Sequence, residues 1–364
     1  MLTKADDYPV HQTPEPIAFA GGDRNFYDRY FFNGYSADGS VFFAAAMGIY
    51  PQLGITDAAF SLVIDGVQHN VRASRHIVGG ERLDLEVGPI KVTIVEPLQQ
   101  LRVTVSGNDS GITADLTFTA RHAAIEEPRF IRRNGTRLFM DYTRMTQNGG
   151  WTGSIAGRAG TISFDPATTF GTRDRSWGIR PVGAPEPQPP PQGNLGQFFW
   201  LWSPCNFPGH AVFAHTNDDA AGLPWNRRAV VVPVGGEALD LDDVALTLRY
   251  TPGSRRLAEM KVGLGHRGEL VLTPGPRTFY MHGLGYTHPV WGHGLDHGPL
   301  EVAYDSLDLA TLDDNMPGNM HIQALSAARL NWDGKEHAGA GVLEQLLIGP
   351  HGPSGFTGLF DPAK

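Results

Sequence analysis

The chain has 364 residues, enough for two domains of ordinary size or one unusually large sheet structure. Its 45 Gly and 27 Pro accompany 41% apolar and 10% aromatic residues, so a core can be buried and disorder does not account for the glycines. A net charge of −9 argues against a nucleic-acid groove, which needs clustered Lys and Arg, and the single Cys205 excludes an internal disulfide.

The first twelve residues are polar and acidic, where a secretory leader would be basic and then apolar, so a cytoplasmic location is expected. No uninterrupted apolar run reaches the roughly 18 residues of a membrane-spanning helix. Residues 59–71 predict two strands flanking Asp65-Gly66, a dipeptide suited to the positive φ angles of a tight hairpin. Further strands are predicted at 90–95, 101–106 and 112–120, with 107–111 as the turn between the last two. The alternation of Leu101, Val103 and Val105 implies one buried face. The proline-rich stretch 183–193 lacks the backbone donors for a strand or helix and reads as a linker. Beyond it the same grammar returns at 244–250, 256–262 and 269–272, with a turn at 251–254. Residues 306–313 and 343–347 are weak helix candidates. The expectation is an all-β protein with domains at 1–182 and 194–364, each an antiparallel sheet closed into a barrel, because closure removes exposed edges. A barrel of about eight strands can hold one small ligand.

The densest chemistry lies in residues 282–297, where His282, Tyr286, His288, Trp291, His293, Asp296 and His297 share a glycine-rich segment. Glycines exclude a regular helix, so these side chains belong to a strand and a tight loop. One reading has His288 or His293 moving a proton while Tyr286, Trp291 and His282 wall a ligand. The other is aromatic packing with hydrogen-bonded histidines. Neutral imidazoles also suit zinc or iron, but no His-x-x-x-His helix, paired Cys or nearby Glu completes a usual ligand set, and no metal or other cofactor is expected.

A second cluster, Arg173-Asp174-Arg175-Ser176-Trp177-Gly178-Ile179-Arg180, surrounds Asp174 with arginines that would hold it ionised. The favoured reading is that Asp174 pins structure while Trp177 lines a cavity, with Asp174 a weaker candidate acid. Trp200 and Trp202 fall on one face of a strand, as core filling or as a ligand wall whose ring faces could stabilise a cation. Glu344 follows the turn Trp332-Asp333-Gly334; a solvated Glu344 is the more ordinary reading, and a carboxyl in an apolar setting the alternative. Hydrolase elbows, phosphate loops and dinucleotide fingerprints are missing.

The string from Arg173 to Arg180 resembles the hallmark of the lipocalin-like superfamily that contains carotenoid 1,2-hydratase (hydroxyneurosporene synthase). Tyr50-Pro51, Asp65-Gly66, Gln147 and Trp151-Thr152-Gly153 precede it in the matching order, and Trp200-Leu201-Trp202, the segment from Gly285 to Gly294, Asp333-Gly334 and the stretch from Gly341 to Glu344 follow. The likeness spans nearly the whole chain and is closest to uncharacterised bacterial members. It implies paired lipocalin or calycin-type barrels, a hydrophobic ligand site and metal-free acid–base chemistry on isoprenoid or polyketide-like molecules.

These readings combine into a cofactor-independent hydratase, isomerase or cyclase for an apolar unsaturated substrate. Asp296 and Glu344 are its candidate carboxyls, His288 and His293 its bases, and Trp200, Trp202, Tyr286 and Trp291 its wall. A non-catalytic carrier of a hydrophobic compound needs the same cavity without a perturbed titratable group. A structural module between protein partners predicts filled barrels instead. A homodimer is compatible with each.

Overall fold

A computed structural model describes residues 2–9, 11, 21–157, 160–186, 196–241 and 243–364; the predicted linker lies outside the described residues from 187 onward. Regular structure among the described residues is β strand and short 3-10 helix. The strands are β1 (Phe26–Ser36), β2 (Phe42–Tyr50), β3 (Ile55–Ile64), β4 (Val67–His76), β5 (Glu86–Val87), β6 (Ile90–Glu96), β7 (Gln100–Val105), β8 (Thr113–Ala120), β9 (Ile125–Glu126), β10 (Phe130–Asn134), β11 (Arg137–Gly157), β12 (Gly160–Phe164) and β13 (Thr169–Ile179). Then come β14 (Phe198–Asn206), β15 (His210–Asp218), β16 (Pro224–Pro233), β17 (Leu239–Leu241), β18 (Val244–Tyr250), β19 (Leu257–Leu264), β20 (Gly268–Tyr280), β21 (Leu300–Asp308), β22 (Ile322–Trp332) and β23 (Lys335–Ile348).

The chain divides into two compact units, and the division is not a single cut in sequence. The first holds Met1–Gly193 and Gly283–Leu309; the second holds Asn194–His282 and Ala310–Lys364. In the first, β21 pairs along the whole of β4 and ends a 14-stranded antiparallel sheet ordered β21-β4-β3-β2-β1-β13-β11-β8-β7-β6-β5, with β9, β10 and β12 attached to β11. The second unit is a 9-stranded sheet ordered β17-β16-β15-β14-β23-β22-β20-β19-β18. Both sheets are nearly closed, as the all-β barrel expectation required.

The predicted hairpin is present: Asp65 and Gly66 have φ of 51° and 78° between β3 and β4. Neither predicted helix forms. Residues 306–313 begin in β21 and turn through a 3-10 helix at Leu309–Thr311, while 343–347 lie inside β23, whose neighbours β14 and β22 supply its backbone partners. Ladder pairing on both sides outweighs a weak helical pattern over so short a run.

The first barrel is filled with rings in its middle. Trp151 meets Phe43 and Phe118 edge-on, at centroid distances of 5.2 and 5.3 Å, and donates its indole N–H to the Asn33 carbonyl at 2.9 Å. Gly171 permits that contact, since a Cβ there would lie 2.1 Å from the Asn33 oxygen and 2.4 Å from the indole nitrogen. Rings thus occupy the middle of this barrel, and a cavity lined mainly by aliphatic side chains lies at one end.

The other end is sealed by the N-terminal 3-10 helix Lys4–Asp7. Buried Arg173 holds buried Asp7, and buried Arg175 holds buried Asp28. His11 bonds Asp28 through Nδ1 at 2.8 Å and stacks on Trp177 at 3.7 Å. Strand alternation divides Asp174 from its two sequence neighbours. Register pairs Tyr30 with Arg175 and Phe32 with Arg173 on the core side, whereas Asp174 pairs with Phe31 on the opposite side and bonds Arg144 at 2.8 Å.

Candidate active site

Each unit carries a polar cluster on the sheet face away from its barrel core. In the first unit, the segment from Gly283 to Pro299 lies over β1, β3 and β4. Buried Arg72 donates from Nε to the Gly283 carbonyl at 3.0 Å, and Arg29 reaches the Leu284 carbonyl at 3.3 Å. Gly283 has no room for a side chain: a Cβ would lie 2.3 Å from Asn70 and Gln68 atoms and 2.8 Å from Ser61 Oγ. Tyr50 Oη donates to Asp57 Oδ1 at 3.1 Å, and the Gly294 N–H donates to Asp57 Oδ2 at 2.8 Å. Burial pushes the Asp57 carboxyl up, against the opposing pull of Arg29. Asp57, Arg29, Arg72, Ser74, Trp291 and His297 line a space of about 10 Å³, room for one water and not for a substrate.

The histidines singled out in sequence build this segment. His288 Nδ1 accepts the Val290 and Trp291 N–H groups at 3.1 and 2.9 Å, so it shapes a turn. His293 lies between Arg29 and Arg180, with Nδ1 3.2 Å from Arg180 and Nε2 3.0 Å from the Leu284 carbonyl; Tyr286 packs edge-on against it at 4.4 Å. Trp291 stacks on His297 at 4.0 Å. Asp296 is 66% exposed, and its carboxyl is held below the usual range by the Gly298 N–H and by His76, which suits an ionised turn cap. His282 is half-buried in the 3-10 helix Met281–Leu284, at the boundary where the second unit gives way to the first.

The second unit places Glu344 mid-strand in β23 at 5% exposure, so the solvated reading is corrected. Its Oε1 accepts the Trp200 indole N–H at 2.9 Å and sits 2.8 Å from His321 Nε2, while Oε2 accepts from Gln323 Nε2 at 2.7 Å. Register explains the gathering: Trp202 on β14 and Gln323 on β22 both pair with Glu344, and His215 on β15 pairs with Trp202. Phe199, Leu201, Leu343 and Leu347 point the other way, into the core. His215 bonds Asn226 Oδ1 at 3.0 Å, with its ring 5.9 Å from Trp200 and 5.2 Å from Phe213. The result is a buried carboxylate and imidazole among indole and phenyl rings.

The structure thus joins Glu344 to Trp200 and Trp202. It sets His288, His293, Tyr286, Trp291 and Asp296 in the other cluster, and Asp174 and Trp177 in pinning contacts. Sequence reasoning missed Asp57, Arg29, Arg72, His321 and Gln323. A lone acid in the apolar strand Ile55-Thr56-Asp57-Ala58-Ala59-Phe60 was a usable signal for Asp57; His321 and Gln323 carry none until strand order is known. Among the described residues, no group of three or more His, Cys, Asp or Glu side chains is arranged to hold a metal ion.

A family of unknown function, DUF8625, matches residues 2–357. No curated protein matches the sequence significantly. Solved structures do share the fold. Kievitone hydratase from Nectria haematococca aligns at 15% identity with a TM-score of 0.55, covering 95% of this chain and 96% of its own. A protein provisionally named AttH from Nitrosomonas europaea aligns at 13% identity and a TM-score of 0.56, covering 93% and 97%. CghA in complex with Sch210972 aligns at 10% identity and a TM-score of 0.52, covering 95% and 96%. At these identities the likeness shows the lipocalin-like fold alone.

Proposed function

The chain belongs to that family of unknown function, and we propose that it is a cofactor-independent acid–base enzyme of hydratase or cyclase type, acting on a neutral, apolar, unsaturated small molecule. One observation carries the reading: Glu344 and His321 form a buried carboxylate–imidazole pair, 2.8 Å apart, inside a patch of Trp200, Trp202 and Phe213. The name of kievitone hydratase, which shares the fold, supports a water-adding reaction.

In that reaction a proton passes to one carbon of an alkene, the cation that forms rests against indole faces, and water adds to it before releasing a proton to the protein. His321 is the proton carrier and Glu344 its counter-charge, fixed by the Trp200 and Gln323 donors. Cyclisation uses the same cation with an internal nucleophile in place of water.

The test is a panel of prenylated phenols and isoprenoid alkenes incubated in isotopically labelled water, with products read by mass spectrometry. Glu344→Gln and His321→Ala should each lower turnover by roughly 10²–10⁴-fold, with circular dichroism unchanged, while Asp296→Asn should leave it near wild type. Full activity in both site variants would overturn the assignment. Tight binding without turnover across the panel would replace the enzyme with a carrier.

A further inference from the structure

We propose that the open end of the first barrel is a separate binding site for a compact neutral apolar molecule bearing a single hydroxyl. A cavity of about 210 Å³ lies there, beside the β3–β4 hairpin. For scale, an apolar cavity of roughly 150 Å³ takes up benzene. The core residues Leu62, Ile112 and Ile155 line it, and Ile64, Val67 and Ile162 extend the aliphatic lining toward the surface.

Its polar side chains are Asp65, His69, Ser110, Thr161 and Tyr304, and the Ser110 hydroxyl is engaged within its own loop by Asn108 and the Ile112 N–H. Tyr304 Oη and His69 Nδ1 are 2.8 Å apart in the wall, and the Tyr304 ring is 40% exposed. A ligand hydroxyl can bond that phenol while the rest of the molecule occupies the aliphatic pocket. Asp65, exposed at the hairpin tip, disfavours an anion. The opposite end is closed by the Asp7–Arg173 and Asp28–Arg175 pairs, so entry is from this side. The site stands whether or not Glu344 proves catalytic.

The probe is 1-naphthol, with naphthalene as its comparator, titrated calorimetrically into the full-length protein. Saturable binding at one per chain is expected. Ile162→Trp and Val67→Phe, both at half-buried wall positions, should fill the space and weaken 1-naphthol about tenfold or more. Tyr304→Phe should weaken 1-naphthol roughly two- to tenfold, the value of one hydrogen bond, and leave naphthalene unchanged. Absence of saturable binding overturns the proposal. So does affinity unchanged in both filled variants, and so does loss of binding in Glu344→Gln, which would put the probe at the other cluster.

Discussion

The two ends of the first barrel solve the same problem in opposite ways. At one end, Asp7, Asp28, Arg173 and Arg175 are all essentially inaccessible and each charge meets its opposite. At the other, aliphatic side chains stop short of one another and leave about 210 Å³. Charges out of water tolerate no missing partner, because a stranded ion costs more than its pairing returns. Methyl groups facing a gap lose only contacts, so an apolar end can stay open for a guest.

The comparison predicts its own hierarchy of effects. Arg175→Met takes the guanidinium from buried Asp28, leaving His11 beside it, and should cost about 3–5 kcal/mol in urea unfolding, the largest loss here. A cost below about 1 kcal/mol would mean the end is not sealed by charge. Ile155→Ala, which widens the open end, should cost about 2–4 kcal/mol by the same measurement. Next comes acid sensitivity. Burial alone would raise the Asp28 carboxyl, but Arg175 and His11 outweigh it and hold it below 3.8. Its stabilisation is therefore present above that value and vanishes as pH falls through the lower folded one. Asp28→Asn should flatten the acid limb of the stability–pH curve. Asp57 has the opposite sign, since its raised carboxyl favours the fold at low pH and loses that contribution as pH rises through the folded value. Asp57→Asn should leave the acid limb intact and flatten the curve at higher pH. Smallest of all, Ile162→Phe should shift stability by less than about 1 kcal/mol, because the new ring enters space that already exists.

Much of the strand grammar could be read from sequence because it is local. Asp65-Gly66 dictates its hairpin by backbone geometry, and 244–250 emerges as β18 with the predicted bounds. The candidate site was harder, for one physical reason: polar residues in a sheet find partners by register, across long stretches of chain. Arg173, Asp174 and Arg175 are adjacent in sequence yet divide between two faces. Glu344 draws Trp200 from 144 residues away and His321 from 23. The histidine-rich segment stood out by composition, but composition could not show that His288 was spending its lone pair on its own turn.

The late arrival of β21 bears on how this molecule can be made and cut. Its strand joins the first sheet only after Asn194–His282 has been synthesised. A fragment ending at Gly193 would expose the β4 edge, with Gln68, Asn70 and Arg72 deprived of their neighbouring strand, and would invite self-association. Dissection at the proline-rich stretch is thus the wrong surgery. A permuted gene that fuses residues 283–309 directly to the first segment is the arrangement that would let this sheet be completed on its own.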